Sequence, residues 1–112
     1  MLTADGKALG TGELNSPTDI TSGNDGNIYI TDCKNNRIIK LDSEYRTVRV
    51  YTEFSFEGKK QTLNSPTNVF VSADGTLYIS DNGNRRILVC DSGGEIGRIL
   101  TKPESELFPQ DK

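Results

Sequence analysis

The sequence contains no histidine, which removes the commonest general base and proton shuttle of enzymes. Neither a Ser-His-Asp triad nor a Cys-His pair can therefore form within this chain. A nucleophilic Cys33 would lack an obvious base. A chain of 112 residues also leaves no room for a separate catalytic domain beside the repeats described below. We therefore expect no catalytic residue here.

Long apolar runs are missing too, since the longest one is Ile87–Cys90. A membrane-spanning helix needs about 20 apolar residues, so we expect no direct membrane insertion by this segment. No secretory signal is visible at the start. Helical periodicity is absent throughout the chain.

An excess of positive charge is also lacking, because the formal net charge is −3. The basic doublets are Lys59-Lys60 and Arg85-Arg86. Some nucleic-acid-binding proteins use a basic face, but four scattered charges in an acidic chain are typical of solvated loops. We expect no nucleic-acid partner.

What the sequence does contain is an internal repeat with an offset of 49 residues. Residues 14–42 and 63–91 align without a gap and share 14 identities in 29 positions. A period of this size, made of strand-like segments, is typical of a propeller or a similar array. The sequence therefore predicts an all-β protein with two four-stranded antiparallel sheets, as in propeller blades.

Each unit is predicted to begin its first strand after a proline, Pro17 or Pro66, which cannot donate to a strand ladder. Asp25-Gly26 and Asp74-Gly75 predict hairpin turns, because glycine adopts positive φ without strain. The second strand of each unit is apolar on both faces, which is typical of a sheet covered on both sides. The predicted strands are residues 20–22, 28–31, 38–41 and 48–51 in the first unit, and 69–71, 77–80, 87–90 and 96–100 in the second.

The repeat also divides the chain. Residues 14–62 and 63–105 are the two predicted blades. Residues 1–13 correspond to the tail of a preceding outer strand and an entry loop, and residues 106–112 to the start of a truncated third unit. We therefore expect a piece of a larger ring.

The two cysteines occupy positions that are not equivalent in the repeat. Cys33 follows the second strand of the first unit, and Cys90 stands where the first unit has Leu41. We expect two free thiols, one in a turn and one buried like a small aliphatic side chain.

Both units share Pro-x-Asp/Asn, then Asp-Gly-x-hydrophobic-Tyr-Ile-Thr/Ser-Asp, then Asp-x-x-Asn-x-Arg-Ile. This pattern resembles the NHL repeat. The resemblance implies a β-propeller, most often six-bladed, with four antiparallel strands in each blade. Asp19 and Asn68 stand where the family usually has glycine, and Ser22 stands where a larger aliphatic residue is usual. Residues 9–12 are similar to bacterial NHL proteins whose propeller adjoins membrane-spanning segments, which implies a parent protein at the bacterial cell surface or membrane.

The polar motif of each unit has two interpretations. It consists of Asp32, Asn35 and Arg37 in the first unit, and of Asp81, Asn84 and Arg86 in the second. It could belong to a ligand or metal site, or the carboxylate could accept from turn amides while the arginine braces the adjacent strand or blade. We favour the structural role, because the motif recurs in each unit, whereas an active site needs different groups from different blades.

Asp19 and Asn68 begin the innermost strands, so their side chains could face a central channel. In propeller lactonases that resemble this fold, oxygen ligands from several blades converge on one calcium ion. Two such groups would supply only part of a site. We therefore expect no metal and no other cofactor, with channel calcium as the alternative.

These patterns favour a non-enzymatic NHL-type scaffold that binds another protein. One alternative is part of a propeller lactonase or lyase, with catalytic groups on blades outside this chain. Another is a propeller that binds a carbohydrate or small ligand. Phe54 and Phe56, in the link between blades, would either cover a sheet edge or present a partner site.

Two blades bury only the interface between them, so two apolar faces would remain in water. Repeat units without capping partners associate or unfold for this reason. We expect the chain to self-associate head to tail, and three copies would supply the six blades that the resemblance implies.

Overall fold

The computed structural model describes residues 13–101, which form ten strands, two 3-10 turns and no α-helix. The strands are β1 (Pro17–Ser22), β2 (Ile28–Asp32), β3 (Arg37–Leu41), β4 (Thr47–Tyr51), β5 (Glu53–Phe56), β6 (Lys59–Thr62), β7 (Asn68–Val71), β8 (Leu77–Asp81), β9 (Arg86–Cys90) and β10 (Ile96–Leu100). The 3-10 turns are Cys33–Asn35 and Asn82–Asn84. The strand tail and the third unit expected at the two ends lie outside the described residues. Within those residues, no helix is long and apolar enough to cross a bilayer.

Two antiparallel sheets of four strands form the body of the molecule, in the orders β1-β2-β3-β4 and β10-β9-β8-β7. We call them blade 1 and blade 2; β1 and β7 are their inner strands. The predicted all-β fold and its two antiparallel sheets are confirmed. Strand β1 begins three residues earlier than predicted, at Pro17, where the register with β2 is irregular. Proline is tolerated there because β1 is an edge strand and Pro17 is its first residue.

One type of five-residue loop joins successive strands at four places, over residues 23–27, 42–46, 72–76 and 91–95. In each loop the first N–H donates to the fifth carbonyl, and the fourth N–H donates to the first carbonyl. The fourth residue has positive φ, and it is a glycine in three loops. Gly26 and Gly75 are two of these, so the predicted glycine turns are confirmed. In the 42–46 loop the position is held by Tyr45, with φ of 67°.

The hairpin β5-β6, between the blades, was not predicted. Its two central residues, Glu57 and Gly58, both have positive φ, as a tight hairpin requires. The Ser55 N–H donates to the Gly94 carbonyl at 3.0 Å, which joins the hairpin to blade 2. The Phe54 ring is buried and stacks on Tyr51 with ring centroids 5.7 Å apart. Phe54 is therefore part of the main core, whereas the sequence predicted that it would cover a sheet edge or present a partner site.

The main core lies between the blades. Its buried members are Tyr29, Ile38 and Tyr51 from blade 1, Phe54 and Leu63 from the link, and Val69, Leu77, Ile79, Leu88, Cys90 and Ile96 from blade 2. Fully burying one such side chain contributes roughly 1.5–3 kcal/mol. The contact between blades is thus the largest apolar interface of the described residues.

The outer face of blade 1 carries a second, smaller cluster of Ile30, Ile39 and Leu41. We expected the outer faces of both blades to be exposed to solvent. This expectation is wrong for the centre of the outer face of blade 1, where the cluster is buried. Leu14, which precedes β1, and Ile28 pack against the cluster and help to bury it. Near the inner strand the same face is open.

Tyr45 offers a test of the shared loop geometry. A left-handed conformation costs a non-glycine residue about 1–2 kcal/mol, because Cβ approaches the following carbonyl. We expect Tyr45→Gly to be more stable than Tyr45→Ala by up to about 1 kcal/mol, since alanine retains Cβ and glycine loses more chain entropy on folding. Urea denaturation of both variants measures the difference. Equal midpoints would show that φ at this position stores no strain.

Candidate functional site

The polar motif of blade 1 folds into a closed network around a buried carboxylate. Asp32 Oδ1 accepts from the Asn15 N–H at 2.7 Å. Its Oδ2 accepts from Asn35 Nδ2 at 2.9 Å and from Arg37 Nε at 2.7 Å. Asn35 Nδ2 and Arg37 Nη2 also donate to the Glu13 carbonyl. The network therefore joins the segment before β1 to the turn between β2 and β3.

Blade 2 builds the same network with equivalent atoms. Asp81 Oδ1 accepts from the Asn64 N–H at 2.7 Å, and Oδ2 accepts from Asn84 Nδ2 at 2.9 Å and Arg86 Nε at 2.7 Å. Arg86 additionally donates to Gln61 Oε1 and to the Thr62 carbonyl. We call each network a carboxylate bracket, defined by Asp32, Asn35 and Arg37 or by Asp81, Asn84 and Arg86.

Both carboxylates are completely buried, and each of their oxygens already accepts from the protein. A buried carboxylate must be paired and hydrogen-bonded, because its desolvation is otherwise too costly. Arg86, one member of the basic doublet Arg85-Arg86, is paired with Asp81 in this network. These contacts support the assignment of the brackets as structural braces, which remains our proposal for their role.

Replacing the arginine of either bracket should lower stability. We expect Arg37→Ala and Arg86→Ala each to reduce the free energy of unfolding by about 1–3 kcal/mol, because buried Asp32 or Asp81 loses a charged donor. Arg46→Ala is the matched control: its ion pair with Asp42 is exposed and is worth at most about 1 kcal/mol. Thermal or urea denaturation measures all three. A bracket variant that unfolds like wild type but fails to bind a ligand would assign the bracket to a binding site.

The two residues expected at a channel, Asp19 and Asn68, lie on the inner strands β1 and β7. The side chain of Asp19 lies between the two blades, whereas that of Asn68 lies on the far side of blade 2. Asp19 Oδ2 accepts from the Val69 N–H at 3.4 Å, so it points to the neighbouring blade. Asn68 lies exposed and its Oδ1 accepts from Thr67 Oγ1 at 3.2 Å. Across the strand pair from Asp19 lies Thr31, whose buried hydroxyl has no hydrogen-bond partner among the described residues. Within residues 13–101 no group of three or more carboxylate or thiol residues could hold a metal ion.

Both cysteines are free, as predicted, with Cys33 in a 3-10 turn and Cys90 buried in the main core. Burial raises the pKa of the Cys90 thiol to about 12 from an ordinary value of 9.0, and the nearby Asp91 adds to the effect. A thiol with this environment stays protonated near neutral pH and is a poor nucleophile.

The raised pKa of Cys90 predicts a loss of stability at high pH. Unfolded, the thiol ionises near its ordinary pKa of 9.0, whereas the folded thiol holds its proton until about pH 12. The folded state therefore binds more protons in this window, and its stability falls as pH rises through it. We expect Cys90→Val, which places an aliphatic residue where blade 1 has Leu41, to show a shallower decline. Urea denaturation from pH 8 to pH 11 tests this; parallel curves for variant and wild type would contradict it.

The remaining candidate is an apolar surface on the far side of blade 2. Tyr78 is 38% exposed although its counterpart Tyr29 is 1% exposed, and Ile87 is 40% exposed although Ile38 is fully buried. The Phe70 ring lies beside Tyr78, with centroids 6.0 Å apart. We call Phe70, Tyr78 and Ile87 the open face. It is equivalent to the surface of blade 1 that packs against blade 2. Among the described residues, no blade covers it.

Comparison with known proteins agrees with this architecture. Residues 14–41 match the family model of the NHL repeat. The chain carries an NHL repeat. The resemblance is thereby confirmed for the first unit, and the internal repeat extends the same pattern to blade 2. A comparison with curated protein sequences finds no match.

Two solved structures share the fold. A streptogramin B lyase is 24% identical with a TM-score of 0.56, over 80% of this chain and 27% of that one. A catalytically inactive virginiamycin B lyase from Staphylococcus aureus, with quinupristin, is 22% identical with a TM-score of 0.52, over 80% of this chain and 28% of that one. The chain thus spans little more than a quarter of these structures. At such identities the similarity shows the β-propeller fold and no more.

Proposed function

We propose that this NHL-type segment is a non-enzymatic interaction scaffold that acts through the open face of blade 2 and without a cofactor. The observation that supports this most directly is the contrast between its polar and apolar groups. The polar and thiol groups that could do chemistry are buried or hydrogen-bonded inside the fold. The apolar side chains of the open face are instead exposed to solvent.

The polar side of this contrast is visible in the brackets and inner strands. The bracket carboxylates are buried and fully bonded, and Asp19 is hydrogen-bonded to the adjacent blade. Cys90 is buried and stays protonated at neutral pH. With no histidine in the sequence, no nucleophile has an evident base.

The apolar side consists of large side chains gathered on one sheet face. Exposed apolar patches of this kind mark protein interaction sites more often than isolated exposed residues do. Aromatic residues add binding energy because they are large and lose little conformational freedom. Phe70 and Tyr78 provide two such groups side by side.

A first test addresses the rival interpretation, a lactonase or lyase that uses channel calcium. We expect no turnover of quinupristin or of simple lactones by the chain, with or without calcium, because the sequence has no histidine and residues 13–101 hold no group of carboxylates that could bind the ion. Mass spectrometry of the reaction mixture measures this. Calcium-dependent lactone hydrolysis that disappears in Asp19→Ala would contradict the proposal.

A second test addresses the interaction itself. A photo-crosslinking benzoylphenylalanine is placed at Tyr78, on the open face, and for comparison at Lys59, which is exposed on the β5-β6 hairpin outside both blades. We expect a discrete polypeptide adduct from position 78 in cells that make the protein, and none from position 59. Adducts at neither position, or equally at both, would argue against a specific binding face.

A further inference from the structure

We propose that the open face of blade 2 docks onto blade 1 of a second copy of this chain, head to tail. This inference rests on the proposed function, since it names the partner of the same face. It follows from the contact that the two blades already make inside one chain. Because the blades are repeats, the open face of blade 2 is equivalent to one side of that contact, and the outer face of blade 1 is equivalent to the other side.

Inside the chain, blade 1 offers donors and acceptors to blade 2 along the shared interface. Thr18 Oγ1 donates to the Thr67 carbonyl at 2.7 Å, and Asp19 Oδ2 accepts from the Val69 N–H. On the outer strands, Arg49 Nη2 donates to the Gly93 carbonyl at 2.7 Å. The inner and the outer strands are therefore both tied to the neighbouring blade.

A shift of 49 residues transfers most of these contacts to a pair of copies. The Thr67 hydroxyl, which donates to Asn68 Oδ1 inside one copy, would donate instead to the Thr18 carbonyl of the second copy. Asn68 Oδ1 would then accept from the Ile20 N–H of that copy. On the outer strand, Arg98 keeps the role of Arg49, opposite the Glu44 carbonyl. The Glu44 carboxylate, which already pairs with Arg46 at 3.2 Å, adds a second acceptor that the internal contact lacks, since Gly93 has no side chain.

The apolar groups are complementary in size as well. Across the internal interface, Thr21 of blade 1 and Val71 of blade 2 lie on the faces that pack together. Their counterparts are Phe70 on the open face and Ser22 on the receiving face. On the open face the large Phe70 stands in place of Thr21. On the receiving face, which is the outer face of blade 1, the small Ser22 stands in place of Val71. Ser22, unusual for its position in the repeat, thus leaves room for an aromatic ring.

The receiving face also has a concavity, at the opposite end of β1 from Ser22. It encloses about 450 Å³ and is lined by Leu14, Pro17, Thr18, Asp19, Ile20 and Ile30. Its blade 2 counterparts Leu63, Val69 and Ile79 are buried in the main core together with Tyr29. Tyr78 is the counterpart of Tyr29, so the open face carries an equivalent ring for the same cluster of side chains in a second copy.

Two hydrogen bonds of the internal contact have no counterpart between copies. The Ser65 N–H donates to Asn36 Oδ1 and the Tyr51 hydroxyl donates to the Ser92 carbonyl, but Arg85 and Leu100 replace Asn36 and Tyr51. The centre of the receiving face is also already buried. We therefore expect docking to be weaker than the internal contact and to dissociate on dilution.

The test uses variants that place a charge on one face only. Phe70→Asp changes the open face and Ile20→Asp the receiving face; both side chains are 60% exposed, so neither change burdens the monomer core. Lys59→Asp is the control, because Lys59 is exposed on the β5-β6 hairpin and belongs to neither sheet face. Sedimentation velocity at several concentrations measures the mass of each species.

We expect wild type and Lys59→Asp to form species above the monomer mass of 12.3 kDa, and both face variants to be monomeric. A mixture of Phe70→Asp with Ile20→Asp should form a dimer, because each retains the face that the other lacks. A monomeric wild type, or face variants that associate like the control, would overturn the inference. An adduct of Tyr78 with a different protein, found with a monomeric wild type, would leave the proposed function standing while excluding the second copy.

Discussion

The two buried carboxylates are the constraint on which the rest of this structure depends. Each one accepts a backbone N–H from the segment before the inner strand and side-chain donors from the next turn. A buried charge imposes strict geometry, since every oxygen must find a donor. The start of each blade is therefore fixed relative to its second and third strands, and the inner strand can present a defined face to its neighbour.

Most of the fold could be predicted from the sequence because its signals are local and occur twice. Asp-Gly dipeptides marked turns that need positive φ, and the apolar strands marked a sheet covered on both sides. The hairpin β5-β6 escaped prediction because Lys59–Thr62 is polar and lies outside the aligned repeat. Glu57-Gly58 between Phe56 and Lys59 was the available signal. Its stability comes from contacts with blade 2, which a local pattern does not reveal.

The open face was harder to predict, because its exposure depends on whether a neighbouring blade covers it, and the local sequence does not show this. The tyrosines Tyr29 and Tyr78 are equivalent in sequence, yet one is buried and the other is exposed. Periodicity identifies both as apolar positions of a blade and cannot tell which side has a neighbour. Likewise, Asp19 and Asn68 are equivalent by offset, but the tertiary arrangement places a partner strand against only the first of them.

The locality of the brackets bears on how the gene for such a chain can change length. The bracket contacts described above each span at most 25 residues, and in them the two brackets share no residue. A recombination event between the two Leu-Asn-Ser-Pro-Thr segments adds or removes 49 residues, which is one complete blade in the correct reading frame. Each remaining bracket keeps this backbone acceptor, since Glu13 and Thr62 both contribute only a backbone carbonyl at the equivalent place. Blade number can therefore vary in whole steps without the repair of any buried charge.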